Sequence, residues 1–153
     1  VRTYIQSGNV IAISDLTQAA LERLVHEVIQ RDFGGDIAVI ARTARQFADI
    51  VKRNPFERAD ASRVYYTLFA GEPDKKILKA FLSTDFSPDE IRFVKSSLYT
   101  LYATKHSDSR FNNNFFERKL NVTATTRNHN TMVKLVALAA EHRRLRRDKE
   151  TRE

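Results

Sequence analysis

The chain has 153 residues, 42% of them hydrophobic, with 4 Gly and 3 Pro, a composition that excludes a disordered linker or a collagen-like tract. It has no cysteine, which rules out disulfides, thiolate nucleophiles and cysteine-bound zinc and fits a cytoplasmic protein. Its formal charge is +7, and no apolar run reaches the ~18 residues a membrane helix needs, so an anionic partner is expected and a membrane is not.

Val1 opens directly on a strand pattern and Met132 is the only methionine, so the sequence is read as lacking upstream residues. Residues 1–13 are predicted to form a hairpin. Val1–Ile5 and Val10–Ile13 are β-rich, and Ser7-Gly8-Asn9 tolerates positive φ. A helix follows with Leu21, Leu24, Val25, Val28 and Ile29 on one stripe, expected to be buried. Gly34-Gly35 ends it, and Ile37–Arg42 reads as a short apolar strand. Thr43 and Gln46 have capping-box spacing for a helix that buries Phe47, Ile50 and Val51, and Asn54-Pro55 stops that helix.

Glu57–Ser62 reads as a polar link. Val64–Phe69 is apolar on both faces and is predicted to be a central strand. A short helix with Ile77, Leu78 and Phe81 comes next, then a hairpin of Ile91–Val94 and Leu98–Ala103 turning at Lys95-Ser96-Ser97. Asn112-Asn113-Asn114 is suited to cap a helix through Leu120. Val122–Thr126 is the last strand candidate, and a final helix should run from about Asn130 toward Arg146, burying Met132, Leu135, Val136 and Ala139.

The second half therefore has the order β, α, β-hairpin, α, β and an extra helix, and the first half has the same plan without its first strand and helix. The expected fold is α+β: two tandem ferredoxin-like subdomains, the first incomplete at its N-terminus, plus a C-terminal helix. The boundaries fall at residues 1–56, a link at 57–62, residues 63–146, and a charged tail at 147–153. In such a sheet the first strand lies between the third and fourth. Ile37–Ile40 is thus expected to have no direct partner in Val10–Ile13.

Basic residues concentrate between Arg92 and Lys134, where eight Arg/Lys stand against Asp108 and Glu117. Within that stretch the densest polar run is Thr123-Ala124-Thr125-Thr126-Arg127-Asn128-His129-Asn130-Thr131, entering the final helix. Arg127, Asn128, Asn130 and Thr131 are the leading site candidates. Asn128 or Asn130 would cap the helix while Arg127 and free N–H groups take a phosphate or carboxylate. The same side chains also suit an Asx-rich turn that needs no ligand. Gln6, Ser7 and Asn9 form a second polar cluster. The turn explains Gly8 and Asn9 but not Gln6, and all three would face Arg127 and Asn128 if both halves line one cleft.

Other patterns carry less. His106-Ser107-Asp108-Ser109 has hydrolase residue types, but adjacency in a loop does not align a nucleophile, base and orienting acid. His26, His106, His129 and His142 lack zinc-ligand spacing, and there is no glycine-rich phosphate loop, so neither metal nor cofactor is expected. Tyr65, Tyr66, Phe69, Phe93, Tyr99 and Tyr102 would suit base stacking from a sheet, but the aromatic signature of such RNA-binding domains is absent and core packing explains them better.

The phrases Val1-Arg2-Thr3-Tyr4-Ile5-Gln6-Ser7-Gly8-Asn9-Val10, Phe33-Gly34, Asn54-Pro55-Phe56 and Thr126-Arg127-Asn128-His129-Asn130-Thr131 occur here in one order. Together they resemble the bacterial family called domain of unknown function 1697 (DUF-1697), over the chain up to about Ala140. The resemblance implies two ferredoxin-like α+β subdomains and an upstream strand-bearing segment, and it implies no reaction. His129 stands where the family commonly has tryptophan, which suggests a flat packing or stacking surface there rather than a catalytic base.

The functional expectation is a small module binding an anionic partner, either nucleic acid or a phosphorylated metabolite, through a polar cleft and the basic second half. The alternatives are a metal-independent enzyme with Arg127 as electrostatic stabiliser, and a protein-interaction domain.

Overall fold

The computed structural model describes residues 2–4 and 8–151. It is an α+β fold. A two-stranded hairpin of β1 (Arg2–Tyr4) and β2 (Asn9–Ile11) leads to α1 (Gln18–Phe33) and α2 (Ala44–Lys52). Then come β3 (Val64–Phe69), α3 (Lys75–Leu82), β4 (Glu90–Val94), β5 (Ser97–Leu101), α4 (Asn113–Leu120), β6 (Ala124–Asn128) and α5 (His129–Glu150). The last four strands form one antiparallel sheet in the order β4-β5-β3-β6, separate from the hairpin.

β3 lies inside the sheet, between β5 and β6, as its two apolar faces predict. Successive strand residues face opposite ways, and both faces of this sheet are covered. Phe69, Leu98 and Tyr102 pack with Phe81 of α3 and with Phe116 and Leu120 of α4 on one side. Val64, Tyr66, Leu68 and Tyr99 pack with Ile50 of α2 and Met132 of α5 on the other. The molecule thus stacks helices, sheet and helices around a sheet core, each fully buried large side chain contributing about 1.5–3 kcal/mol. Two buried phenols also find carbonyl acceptors: Tyr99 donates to Ile50 O at 2.7 Å, and Tyr102 to Phe111 O.

Local signals set most helix ends. Thr43 and Gln46 close a capping box on α2, Asp74 caps α3 through Lys76 N and Ile77 N, and Asn112 caps α4 through Phe115 N. Gly34 ends α1 with φ 70°, where a side chain would be strained. After α2, the Asn54 carboxamide accepts from Phe56 N and turns the chain into the core. α4 covers the start of the β6 edge: Glu117 accepts from Ala124 N, and Asn113 donates to Ala124 O.

Four sequence expectations differ. Ile37–Arg42 is not a strand. Its backbone is bonded by α1 side chains, with Gln18 Nε2 donating to Ala41 O, Glu22 Oε1 accepting from Ala41 N, and His26 Nδ1 paired with Ile37 O. It has no strand partner among the described residues, Val10–Ile11 of β2 included. The α1 stripe is correspondingly not core: no α1 residue is buried, and Leu24 is 47% exposed. β6 runs on to Asn128 because Arg127 and Asn128 still pair with Tyr66 and Tyr65. α5 starts at His129 and continues through the arginine-rich stretch to Glu150, aided by an Arg146–Glu150 ion pair four residues apart.

Candidate functional site

The strand-to-helix step from β6 to α5 carries the residues singled out by sequence. The Arg127 guanidinium reaches the hairpin, with Nε donating to Asn9 Oδ1 at 2.9 Å. Its Nη1 donates to Thr125 Oγ1 at 2.6 Å and to Thr126 O at 2.9 Å. Burial lowers its pKa below the ordinary arginine value, though a guanidinium this basic stays charged. Asn128 Oδ1 accepts from Thr131 N at 2.8 Å, so Asn128 is the helix cap. Asn130 is exposed, and Thr131 is buried in the first turn of α5. His129 Nδ1 pairs with the buried Tyr66 hydroxyl at 2.8 Å. Burial raises the Tyr66 pKa well above the ordinary tyrosine value and pushes Tyr99 beside it to about 12, so both phenols are neutral.

The structure therefore brings Asn9 to Arg127 and joins Asn128 to Thr131, while leaving Asn130 in solvent. Gln6 and Ser7 lie outside the described residues. Chemically the group is a clamp: the Arg127 bonds go to protein oxygens and tie the N-terminal hairpin to the sheet edge. The hydrolase-like run is dispersed. His106 stacks on Tyr65, Ser107 bonds Asp108, and Ser109 Oγ donates to Asp89 Oδ2 at 2.8 Å. Among the described residues no group of His, Asp and Glu converges as a metal site requires. The six aromatics considered for base stacking lie in or against the core, with Tyr66, Tyr99 and Tyr102 at 0% exposure.

Two features escaped the sequence reading. The first is the outer α3–α4 layer, where Lys75, Lys76, Lys79, Arg118 and Lys119 are exposed and have no ion-pair partner among the described residues. The three lysines fall outside the basic stretch that drew attention, since only folding places α3 against α4. Arg118 and Lys119 lie 5.8 and 5.9 Å from the Phe115 ring centroid, and Arg110 lies 4.8 Å from that of Phe111. The second is a cavity of about 270 Å³ at the start of α4, lined by Tyr65, His106, Asn112, Asn113, Asn114 and Thr126. Its signal was the asparagine run, read only as a cap.

The family model that matches residues 1–99 is described as a protein of unknown function, DUF1697. The chain belongs to the DUF1697 family. No curated protein and no solved structure matches it. In this DUF1697 chain the matched span ends within β5, so Arg127, the α4 residues that line the cavity, and Arg118 and Lys119 of the cationic layer lie beyond it. No helix among the described residues is long and apolar enough to cross a membrane.

Proposed function

We propose that this DUF1697 protein is a binding module for an anionic partner, and that it meets a nucleic-acid backbone on the α3–α4 layer. The observation that carries this is the exposed set Lys75, Lys76, Lys79, Arg118 and Lys119 without ion partners. Unneutralised cations on one face hold counterions that a polyanion displaces, which gives sequence-independent affinity. Asp74, which caps α3, offsets one of these five charges. The Arg127 group acts as the structural clamp in this reading, and the helix layer replaces it as the anion site.

The fold belongs to the same proposal. β3-α3-β4-β5-α4-β6 in the order β4-β5-β3-β6 supports a complete ferredoxin-like unit. Residues 1–56 are then a companion segment that lends α2 to the far face. A cytoplasmic location follows from the cysteine-free composition and is likewise proposed.

Titration of labelled single-stranded RNA and DNA at several salt concentrations tests the module. Binding should weaken steeply with salt, and Lys75→Glu with Lys79→Glu should weaken it further and flatten the salt slope. Tight, salt-independent binding of a small phosphorylated compound, unaffected by these reversals, would replace the polyanion with a metabolite.

A further inference from the structure

We infer that the cavity at the start of α4 takes one unstacked nucleobase of a single strand whose backbone lies along the α3–α4 cations. This deepens the polyanion reading and rests on it.

The cavity has one aromatic wall. Tyr65 and His106 are stacked with centroids 4.5 Å apart and planes 12° from parallel, and Tyr102 stands edge-on to both at 5.1 Å. A packed wall of this kind presents a flat surface with little rotamer freedom left to lose on binding. Its remaining lining is amide and hydroxyl. Asn113 is fixed by Ala124 O and by the Thr126 hydroxyl, and Thr126 is also bonded to Thr67. Asn112 spends its oxygen on the α4 cap, leaving its Nδ2 without a protein partner among the described residues. The Asn114 carboxamide has no protein partner among them either. His106 Nε2 is buried with no hydrogen-bond partner, a group whose isolation is costly.

No charged side chain lines this space. A phosphate or carboxylate would meet no cation inside it, whereas a neutral planar ring edged with donors and acceptors meets both stacking and amide chemistry. Unstacked bases are recognised in this way, by Tyr or His faces and by side chains on the base edges. Burial also depresses the His106 pKa below the ordinary 6.5, so its ring is neutral at physiological pH. The helix supplies the path for the backbone. Arg110 lies two residues before Asn112, and Arg118 and Lys119 sit at the far end of the same short helix. Cations tracking a strand beside an aromatic platform are the usual plan for single-strand binding.

Fluorescence anisotropy on the full chain, with oligomers of about ten nucleotides, tests this. The decisive control is an abasic strand of equal length and charge. The base-bearing strand should bind about tenfold more tightly than the abasic one. Asn112→Ser, which keeps a cap, and Asn114→Ala should each erode that preference while leaving the melting temperature and the salt slope unchanged. Equal affinity for abasic and base-bearing strands overturns the pocket and leaves the cationic layer standing. Failure of every strand to bind at low salt overturns both. A nucleoside monophosphate that binds as tightly as the oligomer overturns the single-strand assignment and makes the cavity a free-nucleotide site.

Discussion

Asn128 ends β6 and caps α5 with one side chain, so a single carboxamide sets where extended chain becomes helix. Asn128→Ala should cost about 0.5–2 kcal/mol, the usual penalty for a lost cap. Asn130→Ala, at an exposed first-turn position, should stay within about 0.5 kcal/mol. Urea denaturation of both variants checks the pair, and equal losses would show that Asn128 is not the working cap. The sequence contained both asparagines and could not rank them. Which one caps depends on where β6 stops, and β6 stops where its pairing with Tyr65 ends. Thr43 and Gln46, by contrast, were legible because their bonds are confined to one helical turn.

Among elements, Ile37–Arg42 shows why apolar pattern alone misleads. The run suits a strand, yet a strand exists only through a partner, and here α1 occupies that role with side chains at helical spacing. The exposure of Leu24, Phe33 and Ile37 follows from the same substitution, since side-chain bonds to one extended segment bury far less than a sheet face does. Few buried contacts make an element the first to open. Amide hydrogens in the middle of α1 should therefore exchange well before those of β3 and β5, which lie in the interior of the sheet. Native-state hydrogen exchange measures this directly, and protection of α1 equal to that of β3 would mean that its apolar stripe is covered in solution. The candidate site follows the same rule. Arg127 and Asn9 were both named from sequence, as residues that would face each other if both halves lined one cleft, but their bond and the bonds from Arg127 to Thr125 and Thr126 needed the strand geometry. The cationic layer and the cavity needed tertiary packing, because α3 meets α4, and Tyr65 comes beside Asn113, only in the folded molecule.

For the whole molecule, the second half was the more legible because β3 is apolar on both faces and both faces of its sheet are covered. α2 and α5, which complete that covering, come from opposite halves of the chain. The Asn9–Arg127 bond spans 118 positions, whereas the Tyr66–His129 bond spans 63. Lengthening a loop about twofold adds only ~0.6 kcal/mol of closure entropy, less than the ~1.5–3 kcal/mol of a hydrogen bond to a charged group. The clamp is thus affordable in the finished molecule but offers nothing until β6 is already in place against β3. The consequence is temporal: the β4–β5 hairpin, closed by the two-residue Lys95-Ser96 turn, can form early, and the N-terminal hairpin docks late. In stopped-flow chevrons, Asn9→Ala should leave the refolding limb unchanged and accelerate unfolding by the whole of its stability loss. A refolding rate that falls in proportion to that loss would instead put the clamp at the start of folding.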